Sequence, residues 1–272
     1  MSDYAKPEEF GLADLLCCAA SREVADHEIV FAGTGLPMVA IMLAQKTHAP
    51  NLKLIFEAGT LDGRPPELPT SVGDARCEMG ASRSSGLNDA FSIAQRGLVD
   101  LGYLGGAEVD LYGNVNTTCI GDYLEPELRL TGSGGNPDIN SFAKRTVFIM
   151  VHEKRRFVEN VSYITSPGWR VKKWPEGEFV HRRELFGSAF RGGPSAVIST
   201  AGVFRFDGDN GRMYLDTFHP GKTPEEIRDM CQFDLDISRV QGETQVPTRK
   251  ELHIIHEVLD PDEIFIPKVK RG

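Results

Sequence analysis

The chain has 272 residues, enough to bury one large core or two small ones, and its 40% hydrophobic and 25% charged content is that of a globular protein. With 30 Lys and Arg against 39 Asp and Glu, the net charge of -9 argues against a dedicated nucleic-acid binder but leaves room for a local basic site facing a small anion. No apolar run approaches the ~20 residues that span a bilayer, and the N-terminal MSDYAKPEEFG lacks the apolar stretch of a secretory signal, so a cytoplasmic protein engaging neither membrane nor nucleic acid is expected.

Five cysteines (Cys17, Cys18, Cys77, Cys119, Cys231) form no CxxC pair, which fits free thiols in a reducing compartment and no structural metal site. From the N-terminus, Phe10–Ala25 repeats apolar residues at helical spacing. Glu28–Ala32 reads as a buried strand, followed by the glycine turn Gly33–Gly35 and a helix over Met38–Gln45, the start of a βα unit. Leu52–Phe56 is a second strand, Asn88–Arg96 a helix, Leu98–Leu104 a strand closing on Gly105 and Gly106, and Thr146–Val151 a further apolar strand. Uninterrupted apolar runs of this kind belong to strands covered on both faces. The expected fold is therefore α/β, an open, mostly parallel sheet flanked by helices. Residues 166–194 are rich in Gly, Pro and charge and read as a loop-rich excursion. Ala196–Ser199, Val203–Phe206 and Arg212–Thr217 follow as strands, with Gly208–Gly211 as a turn, and Thr223-Pro224-Glu225-Glu226 has the composition of a helix start. Thr248–Leu259 is a late helix. With no clean linker, the whole of 1–272 reads as one domain.

Four places carry candidate chemistry. Glu57 follows an apolar strand directly and is followed by the small residues Ala58 and Gly59, which puts a carboxylate where open α/β sheets bind ligands. A partly desolvated acid there serves as base or nucleophile, and equally an acid at a strand end is a cap or a surface charge. Gly132-Ser133-Gly134-Gly135 lets main-chain N–H groups converge on an anion, although glycine turns also form without ligands. It is neither a P-loop nor a dinucleotide fingerprint. Gly105 and Gly106 allow close approach at a strand end, and Glu108 supplies a second carboxylate for acid–base work, while Asp110, Gly113 and Asn114 read as turn structure. His152-Glu153-Lys154-Arg155-Arg156 is a basic cluster that suits a phosphate or carboxylate, or a solvated face.

VFAGTGLP (Val30–Pro37), IFEAG (Ile55–Gly59), GGAEVDLYGNVNTTCIGDY (Gly105–Tyr123), GSGG (Gly132–Gly135) and HEKRRFVENVSYITSPGW (His152–Trp169), in this order, resemble the class I CoA-transferase family, and within it the β-type subunits of the glutaconate branch. The resemblance spans roughly residues 10–265. It implies the same α/β fold and an α-type partner subunit that completes the active site. It also implies coenzyme A, as an acyl-CoA substrate, with a carboxylate acceptor and no metal or redox cofactor. By this resemblance Glu57 is the catalytic nucleophile that becomes a glutamyl-CoA thioester. Gly134 and Gly135 are the loop against the reacting carbonyl, and Glu108, Gly105 and Gly106 lie at the substrate site. The family commonly has glutamine where this chain has Glu108. That departure keeps open a CoA-thioester hydrolase or decarboxylase of the same fold as the alternative; a non-catalytic scaffold subunit is a second one, independent of it.

Overall fold

The computed structural model describes residues 3–269 apart from 174, 176 and 188–191. These residues group into two compact units, one of residues 3–103 with 245–269 and one of the described residues within 104–244.

In the first unit, helix α1 (Leu12–Ser21) begins at Gly11, whose N–H is accepted by the Asp14 carboxylate at 2.8 Å. Strand β1 (Ile29–Ala32) follows, and Gly35, at φ +88°, turns the chain into α2 (Leu36–Lys46), with Pro37 in the first turn. That φ is one glycine adopts without steric cost. Met38–Ala44 of α2 are all buried, so this helix is apolar around its whole circumference. Strand β2 (Lys53–Phe56) lies parallel to β1, with Phe31 opposite Ile55. The short strands β3 (Thr60–Leu61) and β4 (Arg83–Ser84) continue the sheet antiparallel. After α3 (Leu87–Gln95), β5 (Leu101–Gly105) pairs parallel with β1 on its other side, and the Tyr103 hydroxyl donates to the Ala20 carbonyl at 2.5 Å, tying α1 to the sheet.

The second unit opens with two small hairpins. Strands β6 (Glu108–Val109) and β7 (Val115–Asn116) form the first, and β8 (Cys119–Gly121) and β9 (Pro126–Arg129) the second. After α4 (Asn136–Phe142), β10 (Arg145–Met150) runs parallel to a strand at 194–199. The stretch expected as a loop is only partly one. It contains the antiparallel pair β11 (Arg170–Lys172) and β12 (Phe179–His181) and a short helix α5 (Arg182–Phe186), while residues 174, 176 and 188–191 of it lie outside the described residues. Strands β13 (Pro194–Ser199), β14 (Gly202–Phe206) and β15 (Met213–Phe218) form an antiparallel meander. Helix α6 (Pro224–Asp229) starts on a reciprocal cap between Thr223 and Glu226, and β16 (Gly242–Glu243) pairs parallel with β15. Phe148, Phe157, Val197, Phe204 and Leu215 form the centre of this unit's core. His152 is packed against the rings of Phe157 and Phe204, with centroids 4.1 and 5.5 Å away.

The last helical segment, back in the first unit, is the helix α7 (Arg249–His253) running into a π-type turn at Ile254–Leu259. Its His256 Nε2 lies 2.8 Å from Asp14 Oδ1. The expected α/β class holds: the strands read from apolar runs form the parallel pairs β1–β2, β1–β5 and β10–β13, and the antiparallel pairs lie among the later and shorter strands. All five cysteines are buried free thiols.

Candidate active site

Glu57 leaves the end of β2 in a tight turn closed by the Gly59 N–H donating to the Phe56 carbonyl at 2.9 Å. The turn is held from outside by Ser85, whose N–H and hydroxyl both donate to the Gly59 carbonyl, at 3.1 and 2.7 Å. Gly59 has φ +115°, and a Cβ there would stand 2.6 Å from the backbone of Ser85 and Gly86. Only glycine fits both the conformation and the gap. The Glu57 side chain is half-buried and, among the described residues, has no hydrogen-bond or ion-pair partner. Burial alone pushes its carboxyl pKa above the ordinary glutamate value. A carboxylate short of solvent and without an internal partner is more nucleophilic than one hydrated in water.

The other expected site residues belong to the second unit. Gly105 ends β5 and Gly106 follows it, and a Cβ on Gly106 would meet the Val115 side chain at 2.7 Å. Glu108 is buried and accepts three hydrogen bonds. Its Oε2 accepts from Asn116 Nδ2 at 2.7 Å and from the Ser162 N–H at 2.9 Å, and its Oε1 accepts from the Ser162 hydroxyl at 3.1 Å. Asn116 spends its second amide hydrogen on the Cys119 carbonyl at 2.7 Å, and its Oδ1 accepts from the Thr118 N–H at 2.8 Å. The Glu108 carboxylate thus fixes the corner between β7 and β8, and with it Thr117. Asp110 and Asn114 hold their turn as the sequence indicates. Asp110 accepts from the N–H groups of Tyr112 and Asn114 and from Asn114 Nδ2, and Asn114 Oδ1 accepts from the Gly168 N–H.

The glycine loop is anchored at its start, where the Gly132 N–H donates to the Thr117 carbonyl at 2.9 Å and the Thr117 hydroxyl returns a bond to the Gly132 carbonyl at 2.8 Å. Gly134, at φ +48°, is exposed, and Gly135 caps α4. Neither N–H has an acceptor among the described residues, so both are available to an incoming oxygen.

Gly105, Gly106, Thr117 and Asn136 line a cleft of about 720 Å³, together with Arg129 and Arg156. The structure brings Gly105, Gly106 and the residue after Gly135 to this one cleft, whereas Glu108 turns its carboxylate to Asn116 and Ser162 and does not line it. Arg156 belongs to the basic cluster noticed in the sequence. Arg129 and Thr117 carry no signal of their own there, since only the hairpin β8–β9 and the turn after Glu153 bring them to one wall. Among the described residues no three His, Cys, Asp or Glu side chains converge as a metal site, and no helix is long and apolar enough to cross a membrane.

Comparison with known proteins finds relatives along nearly the whole chain. A sequence model of the family described as coenzyme A transferase matches residues 16–229. The chain is 35% identical to the B subunit of glutaconate CoA-transferase of Acidaminococcus fermentans over 98% of its own length and 97% of the relative's. It is 33% identical to the B subunit of 3-oxoadipate CoA-transferase of Pseudomonas knackmussii, covering 89% of this chain and 90% of that one. The solved structure of glutaconate coenzyme A-transferase from Acidaminococcus fermentans superposes with a TM-score of 0.85 at 31% identity, over 97% of this chain and 98% of that chain.

Proposed function

The chain belongs to the coenzyme A transferase family, and from that premise we propose that it is the B-type half of a heteromeric enzyme that moves CoA from an acyl-CoA to a carboxylate through Glu57. The observation that carries this reading is the state of Glu57: half-buried, unpartnered, and raised in pKa by burial at the end of a strand. That both relatives are named as B subunits supports a partner of the A type.

The reaction follows from a carboxylate held against a thioester. A Glu57 oxygen attacks the acyl carbon, the C–S bond breaks, and CoA leaves as thiolate with an acyl-glutamyl anhydride on the enzyme. The thiolate then attacks the Glu57 carbonyl carbon, releasing the first acid as its carboxylate and leaving a glutamyl-CoA thioester. An acceptor carboxylate attacks that thioester, and the same two steps run in reverse to give the new acyl-CoA and free Glu57. No proton need be transferred in any step, so no general acid or base is required. Held reactants supply effective molarity. The unpaired N–H groups of Gly134 and Gly135 are donors of the kind that stabilise an oxyanion during each attack. CoA binding energy remote from the sulfur offsets the cost of the strained anhydride.

The hydrolase and decarboxylase alternatives, which the sequence raised through Glu108, gain no support from it. Its carboxylate accepts three hydrogen bonds from Asn116 and Ser162 and does not line the cleft, which fits a structural role. The test is product analysis on the complex co-expressed with its A-type partner. Transfer of CoA to an acid, with parallel lines in double-reciprocal plots, is expected. Free CoA or carbon dioxide as the main product, without transfer, contradicts the reading.

A further inference from the structure

The cleft at the end of β5 carries a charge pattern that the steps on Glu57 do not use. Two guanidinium groups line it, Arg129 at the last position of β9 and Arg156 in the turn after Glu153, and no carboxylate does. Arg129 donates one Nη to the Tyr123 carbonyl at 2.9 Å and lies over the Tyr123 ring, 5.0 Å from its centroid. Its Nε and other Nη have no acceptor among the described residues. Arg156 gives its Nε to Glu153 at 3.1 Å and one Nη to the Ala107 carbonyl at 3.4 Å. Glu153 is shared with Arg155, whose Nε stands 2.7 Å away, so one carboxylate serves two guanidinium groups there. The cleft is therefore net positive in a chain whose total charge is -9.

A guanidinium presents its N–H groups as a planar fork that matches the oxygens of a carboxylate or phosphate. The floor of the cleft is the Cβ-free stretch Gly105-Gly106, and nothing lies within 4 Å of where a Gly105 side chain would begin. A substrate chain can approach the main chain there. The volume of about 720 Å³ takes far more than one carboxylate, so a chain of several carbons fits behind the charged group.

We infer that Arg129 and Arg156 bind an oxyanion at the non-reacting end of a substrate, either the distal carboxylate of a diacid or a phosphate of the CoA moiety. This rests on the CoA-transferase reading for the identity of the substrates. The two arginines then decide which acids are accepted or how the donor is anchored, while Glu57 performs the bond exchange.

The test uses the complex with its A-type partner, as wild type and as Arg129→Gln and Arg156→Gln. Calorimetry measures binding of glutarate against butyrate, and of CoA against phosphate-free pantetheine. If the anion is a carboxylate, the preference for glutarate over butyrate falls by about tenfold or more, the scale of a lost charge-assisted hydrogen bond. If it is a phosphate, the preference for CoA over pantetheine falls by a similar factor. Unchanged preferences in both variants overturn the inference. Arg129 lies on an exposed hairpin, so its variant answers the question even if Arg156→Gln destabilises the turn at Glu153. Turnover in the same preparations separates the two claims. A wild-type complex that transfers CoA while its preferences ignore both arginines refutes the site alone. A wild-type complex that transfers none refutes the reading of Glu57, and the binding data still decide the site.

Discussion

Replacing Glu108 by glutamine separates a carboxylate that builds the site from one that acts in it. Glutamine is the same shape. Its carbonyl oxygen can take the place of Oε2 and keep the bonds from Asn116 Nδ2 and the Ser162 N–H, which stand at 2.7 and 2.9 Å in the native protein. Its amide then faces the Ser162 hydroxyl, which can rotate to accept instead of donating, at the present separation of 3.1 Å. Three charge-assisted bonds become neutral, at a cost of about 1 kcal/mol each. Removing a buried charge returns several kcal/mol of desolvation. The two nearly cancel, and Glu108→Gln should change unfolding free energy by no more than about 1.5 kcal/mol. Glu108→Ala instead strands an Asn116 N–H in the buried interior, while the N–H of the exposed Ser162 turns to water, and should cost about 1–3 kcal/mol. Urea unfolding of the assembled complex reads both values, and turnover read beside them decides the role. A positioning Glu108 predicts a fall of less than about tenfold for glutamine, whereas loss of an acid–base group costs about 100- to 10,000-fold. A stable Glu108→Gln complex with turnover lost on that second scale would refute the structural reading.

Other outcomes follow from the same geometry. Gly59→Ala places a Cβ 2.6 Å from the Ser85–Gly86 backbone at φ +115°; it should cost about 3 kcal/mol or more in urea unfolding, with kcat falling more than KM rises because the turn carrying Glu57 shifts. Transfer needs Glu57 ionised and burial raises its pKa, so kcat should fall on acidification at a pH above the ordinary glutamate range, a limb that pH–rate profiles resolve. The same raised value means that the ionised side chain weakens the fold at neutral pH. Glu57→Gln should therefore melt higher than wild type at pH 7 and lose that advantage as the pH is lowered through the raised pKa of Glu57. His152 and His219 are held neutral by burial, each lowered to about 4. Stability should fall as pH drops from 6.5 toward 4, by at most about 3 kcal/mol for each histidine, and a His219→Gln variant should show a shallower acid limb in chemical unfolding.

The strands of the parallel pairs were readable because each carries a run of apolar residues, Ile29–Ala32 and Val147, Phe148, Ile149 and Met150 among them, and α2 because a glycine turn and Pro37 announce it. Glu57 stood out because its place after β2 is a local property of the chain. The hairpin β11–β12 was hidden, since Arg170–Lys172 and Phe179–His181 are three-residue strands in a charged, glycine-rich stretch and pair only with each other. The engagement of Glu108 was hidden for a different reason: its partner Ser162 lies 54 residues away, and no spacing rule connects them. The arginine cleft is likewise a product of tertiary structure. Arg156 looks like part of a solvated basic run, and Arg129 belongs to no element readable in the sequence, until the fold sets them on one wall.

The central claim is that Glu57 becomes covalently bonded during turnover. The complex is incubated with acyl-CoA in the absence of acceptor, digested, and its peptides weighed by mass spectrometry. The account predicts a CoA thioester on the peptide carrying Glu57, removed by adding a carboxylate acceptor and convertible by borohydride to the corresponding alcohol. An active complex whose Glu57 peptide stays unmodified throughout contradicts it.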